Sequence, residues 1–205
     1  NSSGSTIPFI TSGSTYYGSF NGTSQYLTVP GNAAFAFGTG DFCVECWVYP
    51  TSAPTASPVT NNNKAIFGYR SGSDTSPYLG WGYTGVYFGG DVTNLVQSTY
   101  QLSLNTWTHI AVVRYSGVST LYINGVSVTT SSTVINFTDS AGTRNIGTFN
   151  GTNPYYWSGY ISNLRVVKGS AVYTGPFRPI GPLTRIQPAR TNVAALGGTE
   201  TSLLT

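Results

Sequence analysis

Charged side chains are scarce in this 205-residue chain, which has nine Lys or Arg, six Asp or Glu and one His. They make up 7% of the residues, against about 25% in an average globular protein. The basic residues form no run, so the concentrated basic stripe typical of nucleic-acid binding is missing, and we expect no nucleic-acid partner. A weakly charged surface repels neighbouring molecules only weakly, which favours packing into a particle or fibre.

Long apolar runs are also missing. A membrane-spanning helix needs about 18 or more consecutive apolar residues, and no such stretch occurs. We therefore expect no membrane insertion. Aromatic residues, at 14%, are too frequent and net charge, at +3, is too low for a disordered chain. The chain begins at Asn1 without a Met, which leads us to expect a processed product or the ordered part of something longer.

Cys43 and Cys46 are the only cysteines, and their C-x-x-C spacing raises the possibilities of redox or zinc chemistry. They lie in an alternating strand pattern, where residues three apart point to opposite faces about 10 Å apart. That separation is too large for a disulfide, and a zinc site would need a second pair of ligands, whereas His109 is the only His. We expect two free, packed thiols, which are more natural in a reducing compartment.

Apolar positions recur at period two nearly everywhere, and turn residues separate short strands, which predicts a two-sheet antiparallel sandwich. The strand 41–49 should place Phe42, Val44, Cys46 and Val48 on one face, whereas 106–115 is apolar on both faces and reads as a central strand. Asn124-Gly125 predicts a tight hairpin. In the strand 159–167 the apolar phase shifts, which predicts a β-bulge near Ser162-Asn163.

The predicted organisation is an N-terminal arm (1–15), a single β-sandwich (16–186) and a C-terminal tail (187–205). The tail contains no aromatic residue and has two adjacent glycines, so we expect a loosely ordered terminus. An alternative is open because the tail ends in alternating Thr and Leu, a pattern that could add a strand to the sheet edge of a neighbouring subunit.

Four segments together carry a family resemblance. They are FNGTSQYLTVP (20–30), FGTGDFCVECWVYP (37–50), WTHIAVVRYSGVSTLYINGV (107–126) and WSGYISNLRVVKGSAVYTGPFRP (157–179). In this order they resemble the laminin G-like branch of the concanavalin A-like lectin/glucanase superfamily over roughly residues 16–185. The last segment is similar to modules of bacteriophage tail-fibre and other virion proteins. The resemblance implies a jelly-roll fold and binding of glycans or proteins, and some members only space or decorate a structure.

Acidic residues are too few for most chemistry of that superfamily. The six are Asp41, Glu45, Asp74, Asp91, Asp139 and Glu200. Glycosidases need two facing carboxyl groups, and the nearest candidates, Asp41 and Glu45, have no third partner. We expect Glu45 to bond a neighbouring Tyr, Trp or Arg, and His109 to be a satisfied histidine rather than a general base.

A bound metal is not expected, because no acidic cluster is present and relatives often carry acids where this chain has Ser162 and Asn163. If Ca²⁺ binds at all, Asp91 or Asp139 with backbone carbonyls would hold it. No other cofactor is expected.

Aromatic residues are the remaining candidates for a site, because their faces suit sugar rings and protein interfaces alike. One group follows consecutive short strands, and the second lies near residue 156, with flanking polar side chains to orient a ligand. The predicted glycan- or partner-binding residues are Tyr78, Trp81, Tyr83, Asp91, Asn94, Tyr155, Tyr156 and Trp157. Tyr87 and Asn153 lie beside them. The alternative is that most of these aromatics fill the core.

The sequence thus predicts a non-catalytic surface protein of a virion or extracellular filament, a structural or decoration subunit that also adheres to glycans or a host surface. Its partners would be surface glycans or other virion or filament subunits, in a homo-oligomer or repeating assembly. The alternatives are a dedicated carbohydrate-binding lectin module and, less favoured, a glycoside hydrolase. The expected location is the virion surface or the extracellular space.

Overall fold

The computed structural model describes residues 17–55, 63–69, 75–90, 93–149 and 155–204. These ranges form an all-β fold with one turn of 3-10 helix at Ala33–Phe35, and none of their helices could cross a membrane. The strands are β1 (Gly18–Asn21), β2 (Leu27–Val29), β3 (Phe42–Pro50), β4 (Lys64–Gly68), β5 (Tyr78–Gly82), β6 (Gly85–Gly89), β7 (Asn94–Gln97), β8 (Thr108–Tyr115), β9 (Val118–Ile123), β10 (Val126–Ser131), β11 (Arg144–Ile146), β12 (Ser158–Lys168), β13 (Ile186–Gln187), β14 (Leu196–Gly197) and β15 (Thr201–Leu204).

Two antiparallel sheets pack face to face. Sheet 1 has the order β1-β12-β3-β8-β9-β10, with β15 also paired to β12, and sheet 2 has the order β2-β11-β4-β5-β6-β7. The main core lies between them and is filled by large apolar side chains such as Phe42, Phe67, Phe88 and Phe137. This arrangement confirms the predicted two-sheet jelly-roll class.

The side chains of β3 alternate between the inner and the outer face of sheet 1. Val44 and Cys46 face the main core, and Cys43 packs in a second cluster on the outer face of sheet 1. The two thiols are free and buried on opposite faces, as predicted. The neighbouring strand β8 sends Val112 to the core and Val113 to the outer cluster, so it is a central strand covered on both sides.

The hairpin between β9 and β10 forms at Asn124-Gly125, as predicted. Both residues have positive φ, 50° and 78°, and they join the paired residues Ile123 and Val126. Asn and Gly tolerate this left-handed conformation, which is what a two-residue turn of this kind requires.

The predicted β-bulge in β12 is also confirmed. The register runs Ser162 opposite Trp47 and then Arg165 opposite Glu45, and Asn163 has a φ of 52°. The extra residue changes which side chains face outward, so that Arg165 lies opposite Glu45 on the outer face of sheet 1.

The expectation of a loosely ordered C-terminus is corrected by the structure. Leu203 of β15 pairs with Val166 of β12 in the chain's own sheet, and Leu196 and Val193 are buried against Tyr173 in the outer cluster. The alternating Thr and Leu residues therefore do form a strand, but the edge that they extend belongs to the same molecule. The boundary at residue 186 remains a sequence prediction, and the arm 1–15 lies outside the described residues.

Candidate functional site

The outer face of sheet 1 holds a buried group of charged and polar side chains, which we call the Glu45 cluster: Glu45, His109, Arg165 and Tyr173. Arg165 donates to Glu45 Oε1 from Nε at 2.8 Å and from Nη2 at 2.6 Å. Tyr173 donates its hydroxyl to Oε2 at 2.7 Å, and His109 Nε2 lies 3.1 Å from the same oxygen. The prediction that Glu45 bonds a Tyr or an Arg is confirmed. The prediction that His109 is satisfied holds only for Nε2, because its buried Nδ1 has no hydrogen-bond partner among the described residues.

The electrostatics of this cluster favour the ionised carboxylate. Burial by itself raises the pKa of Glu45, but the hydrogen bond from His109 and the charge of Arg165 outweigh it and lower that pKa to about 2. Because the carboxylate can only accept, His109 donates from Nε2. Glu45, His109 and Arg165 are each 0% exposed. No ligand can reach them, so the cluster is structural.

A pocket of about 350 Å³ opens on the opposite side of the molecule, on the outer face of sheet 2. We call it the sheet 2 pocket, and its volume lies at the lower end of the range for small-ligand sites. Among the described residues, its lining consists of five aromatic residues, four neutral polar residues and one glycine: Tyr78, Tyr83, Tyr87, Phe149 and Tyr155; Asn63, Thr84, Asn94 and Gln97; and Gly82.

The floor of the sheet 2 pocket depends on the alternation of β5. Leu79 and Trp81 point into the core, so Tyr78, Gly80 and Gly82 face outward. A Cβ at position 80 would lie 2.6 Å from the Tyr87 hydroxyl oxygen and 2.9 Å from the Phe149 ring. Glycine at position 80 therefore lets these rings lie directly against the sheet.

Four of the five aromatic rings, those of Tyr87, Tyr78, Phe149 and Tyr155, form a continuous edge-to-face row. Tyr78 lies 5.5 Å from Tyr87 and 5.1 Å from Phe149, and Phe149 lies 6.1 Å from Tyr155, measured between ring centroids. Such edge-to-face contacts fix ring positions. Tyr78 and Tyr87 are 7% exposed and Phe149 is 1% exposed, so the row is a packed floor beneath the pocket. The rings that a ligand can reach are those of Tyr155, which is half-buried, and Tyr83, which is 48% exposed.

Polar side chains form a second row, which we call the amide ladder: Tyr78, Asn94, Gln97 and Thr84. The Tyr78 hydroxyl donates to Asn94 Oδ1 at 3.1 Å, and Asn94 Nδ2 donates to Gln97 Oε1 at 2.7 Å. Gln97 Nε2 in turn donates to Thr84 Oγ1 at 2.7 Å. Asn94, Gln97 and Thr84 are exposed, so the ladder orients amide and hydroxyl groups that a ligand can reach.

Four of the predicted site residues, Tyr78, Tyr83, Asn94 and Tyr155, come together in the sheet 2 pocket. The pocket members Asn63, Thr84, Gln97 and Phe149 were not predicted. Gln97 was missed because a register shift between Phe88 and Gly89 decides which β7 side chains face outward. Its spacing of three residues from Asn94 does not follow strand alternation, so no sequence pattern indicated it.

The assignment of Trp81 and Trp157 to a binding surface was wrong. They are 1% and 0% exposed and pack together in the main core, with ring centroids 6.3 Å apart. The alternation of β5 puts Trp81 on the core side with Leu79, and its Nε1 donates to Gln101 Oε1 at 2.9 Å.

Tyr156 is half-buried with its ring 6.3 Å from that of Tyr26, and it does not line the sheet 2 pocket. Asp91 and Asn153 lie outside the described residues.

Asp139, one of the two proposed calcium ligands, is engaged by protein donors. Oδ1 accepts from the backbone N–H of Ala141 and of Gly142, and Oδ2 accepts from Ser76 Oγ and from Arg144. Burial raises the pKa of Asp139, but these hydrogen bonds and the Arg144 charge outweigh it and lower the pKa. A cation would have to displace these partners, and within the described ranges no three Asp, Glu, His or Cys residues cluster as metal ligands.

The carboxylate geometry does not fit glycoside hydrolysis in the part of the chain that the structure describes. Glu45 is 0% exposed and bonded to Arg165, His109 and Tyr173, and Asp41 accepts from the backbone N–H of Ser116 at 3.0 Å. No carboxylate lines the sheet 2 pocket among the described residues. Glycosidases need two carboxyl groups on either side of the scissile bond.

The fold and the pocket together define a lectin-like β-sandwich. Residues 21–171 match the laminin G family model described as the concanavalin A-like lectin/glucanases superfamily, and the chain belongs to that superfamily. A search of curated protein sequences finds no significant match.

Solved structures with this fold include several proteins that bind carbohydrate. Domain 4 of AbnA, an extracellular arabinanase from Geobacillus stearothermophilus solved with arabinotriose, has a TM-score of 0.53 and 20% identity, over 78% of each chain. A putative carbohydrate-binding protein from Bacteroides ovatus has a TM-score of 0.55 and 16% identity, over 93% of this chain and 59% of its own. The CBM40 of Ruminococcus gnavus IT-sialidase, solved with α2,3-sialyllactose, has a TM-score of 0.52 and 13% identity, over 79% and 95%. At these identities the likeness concerns the fold.

Proposed function

We propose that the chain is a non-catalytic glycan-binding module and that the sheet 2 pocket holds the sugar. The observation that carries the proposal is that the accessible rings of Tyr83 and Tyr155 line the same pocket as the exposed amide ladder. Apolar ring faces suit the C–H faces of a sugar, and oriented amides suit its hydroxyls. The fold neighbours solved with oligosaccharides support the same class of ligand.

Two variants test the pocket without touching the core. Tyr83→Ala removes an exposed aromatic side chain from the rim, and Gln97→Ala interrupts the amide ladder. Each loses about 1–2 kcal/mol of interaction, so we expect binding to fall about tenfold on a glycan array and by calorimetry.

Tyr115→Ala is the matched control, because Tyr115 is 51% exposed and Tyr83 is 48% exposed, but Tyr115 lies on sheet 1. Its binding should equal that of the wild type, and all three variants should keep the wild-type melting temperature. If the wild type binds no glycan, or if Tyr115→Ala weakens binding as much as Tyr83→Ala, the pocket assignment fails.

We also propose that the module is displayed on a virion or an extracellular filament as part of a repeating assembly. The low charge supports this, because 7% charged residues leave little repulsion between copies. We expect light scattering to find a homo-oligomer and micrographs of the native source to show a repeating subunit. A monomer at all concentrations and a source without particles or filaments would contradict it.

A further inference from the structure

We infer that the sheet 2 pocket selects uncharged glycans and rejects glycans that place a carboxylate or sulfate in it. This inference rests on the proposed function and specifies the chemical class of its ligand. The first observation is that every described lining residue is neutral. An anionic group held in the pocket would lose water without gaining a cationic partner, which is unfavourable.

Lys64, which is close to the pocket in sequence, does not add a positive charge to its lining. Lys64 follows the lining residue Asn63, but it pairs with Trp81 across β4 and β5. Residues directly opposite on neighbouring strands share a face of the sheet. Since Trp81 points into the core, Lys64 lies on the core side of sheet 2 rather than in the pocket.

The amide ladder supplies the second observation. Its three hydrogen bonds run in one direction, from Tyr78 through Asn94 and Gln97 to Thr84. Each amide nitrogen has two N–H donors and the ladder uses one, while each amide oxygen accepts with one of two lone pairs. The exposed side of the row therefore presents donors and acceptors side by side.

This alternation matches neighbouring sugar hydroxyls, each of which both donates and accepts. An ionised carboxylate or a sulfate only accepts, so it satisfies the donors of the ladder and places its negative charge against the amide and hydroxyl oxygens. The ladder thus discriminates by hydrogen-bond pattern in addition to charge.

α-1,4-Linked galactobiose and α-1,4-linked digalacturonic acid make a matched pair for the test, because the hydroxymethyl groups of the first are carboxylates in the second and the linkage is the same. An array would carry this pair together with lactose and 3′-sialyllactose, and other neutral oligosaccharides with their uronic-acid counterparts. We expect a neutral member to bind and its acidic counterpart to bind at least about tenfold more weakly. The affinity for the neutral member should be the same at about 50 mM and about 500 mM NaCl.

The variant Gln97→Lys adds a cation to the pocket and interrupts the ladder at the same position. We expect it to lower the affinity for the neutral member and to raise the acidic-to-neutral ratio about tenfold. Tyr115→Lys, which adds the same charge on sheet 1, should leave the ratio unchanged. If the wild type binds the acidic member as tightly as the neutral one or more tightly, the inference is wrong but the proposed function stands. Binding of no member at all overturns the proposed function and the inference with it.

Discussion

Glu45→Gln should lower the free energy of unfolding by about 3–5 kcal/mol, the usual cost of removing one partner from a buried ion pair. In the wild type, Glu45 Oε1 accepts two hydrogen bonds from Arg165, and both side chains are 0% exposed. A neutral amide leaves the guanidinium buried without a counter-charge. Thermal unfolding should show a drop of roughly 6–20 °C in melting temperature.

Asp41→Asn is the matched control for this variant. It removes one negative charge from the same region of the chain, but its amide oxygen can still accept from the backbone N–H of Ser116. We expect its melting temperature to stay close to that of the wild type. A similar melting temperature for Glu45→Gln and Asp41→Asn would show that the Glu45 cluster contributes little to stability.

The same carboxylate gives the protein a defined acid sensitivity. The pKa of Glu45 is lowered from 4.5 to about 2 in the folded state, so the folded state binds its proton less readily than the unfolded state. The stabilisation that the ionised Glu45 carboxylate adds to the free energy of unfolding is complete above about pH 4.5 and is lost as the pH falls towards about 2. The stability difference between wild type and Glu45→Gln, measured by urea unfolding, should therefore shrink over this interval. A difference that is constant with pH would contradict the assignment.

Truncation after Ile186 should also destabilise the sandwich strongly. The deleted segment includes Val193 and Leu196, which are 7% and 2% exposed, and Gln187, whose Oε1 accepts from Arg165 Nη1 at 2.9 Å. Burial of each apolar side chain contributes about 1.5–3 kcal/mol. The truncation also removes this Gln187 partner from Arg165, a buried member of the Glu45 cluster. We expect a loss of at least about 5 kcal/mol, seen as early unfolding in urea.

Two point variants separate packing from loss of chain length. Leu196→Ala removes a buried side chain of β14 and should cost about 2–5 kcal/mol. Ile186→Ala removes a similar side chain from the paired strand β13, but Ile186 is 68% exposed, so little change is expected. A truncated protein with wild-type stability would mean that the C-terminal segment is a dispensable tail.

The structure also changes how the proposed binding surface must be tested. Trp81→Ala looks like a binding-site variant from the sequence, because Trp81 lies between Tyr78 and Tyr83. Since its ring is 1% exposed in the main core, the change opens a cavity that costs about 3–5 kcal/mol. Loss of binding in that variant would report unfolding rather than a missing contact, which is why Tyr83 and Gln97 are the informative positions.

The sequence by itself determined the features that depend on local spacing. Alternation placed Cys43 and Cys46 on opposite faces, and Asn124-Gly125 specified its hairpin because both residues tolerate positive φ. A break in the apolar phase also located the bulge at Ser162-Asn163.

Only the tertiary structure decided which side chains meet across distant strands. Glu45 and Arg165 are 120 positions apart and become partners because the bulge in β12 sets their register. In the same way, the pairing of β6 with β7 brings Gln97 into the sheet 2 pocket. The pairing of β15 with β12 adds the C-terminal segment to the sheet of its own molecule. Strand register is a long-range property, and a shift of one residue reverses the face of every side chain, so spacing along the chain cannot specify it.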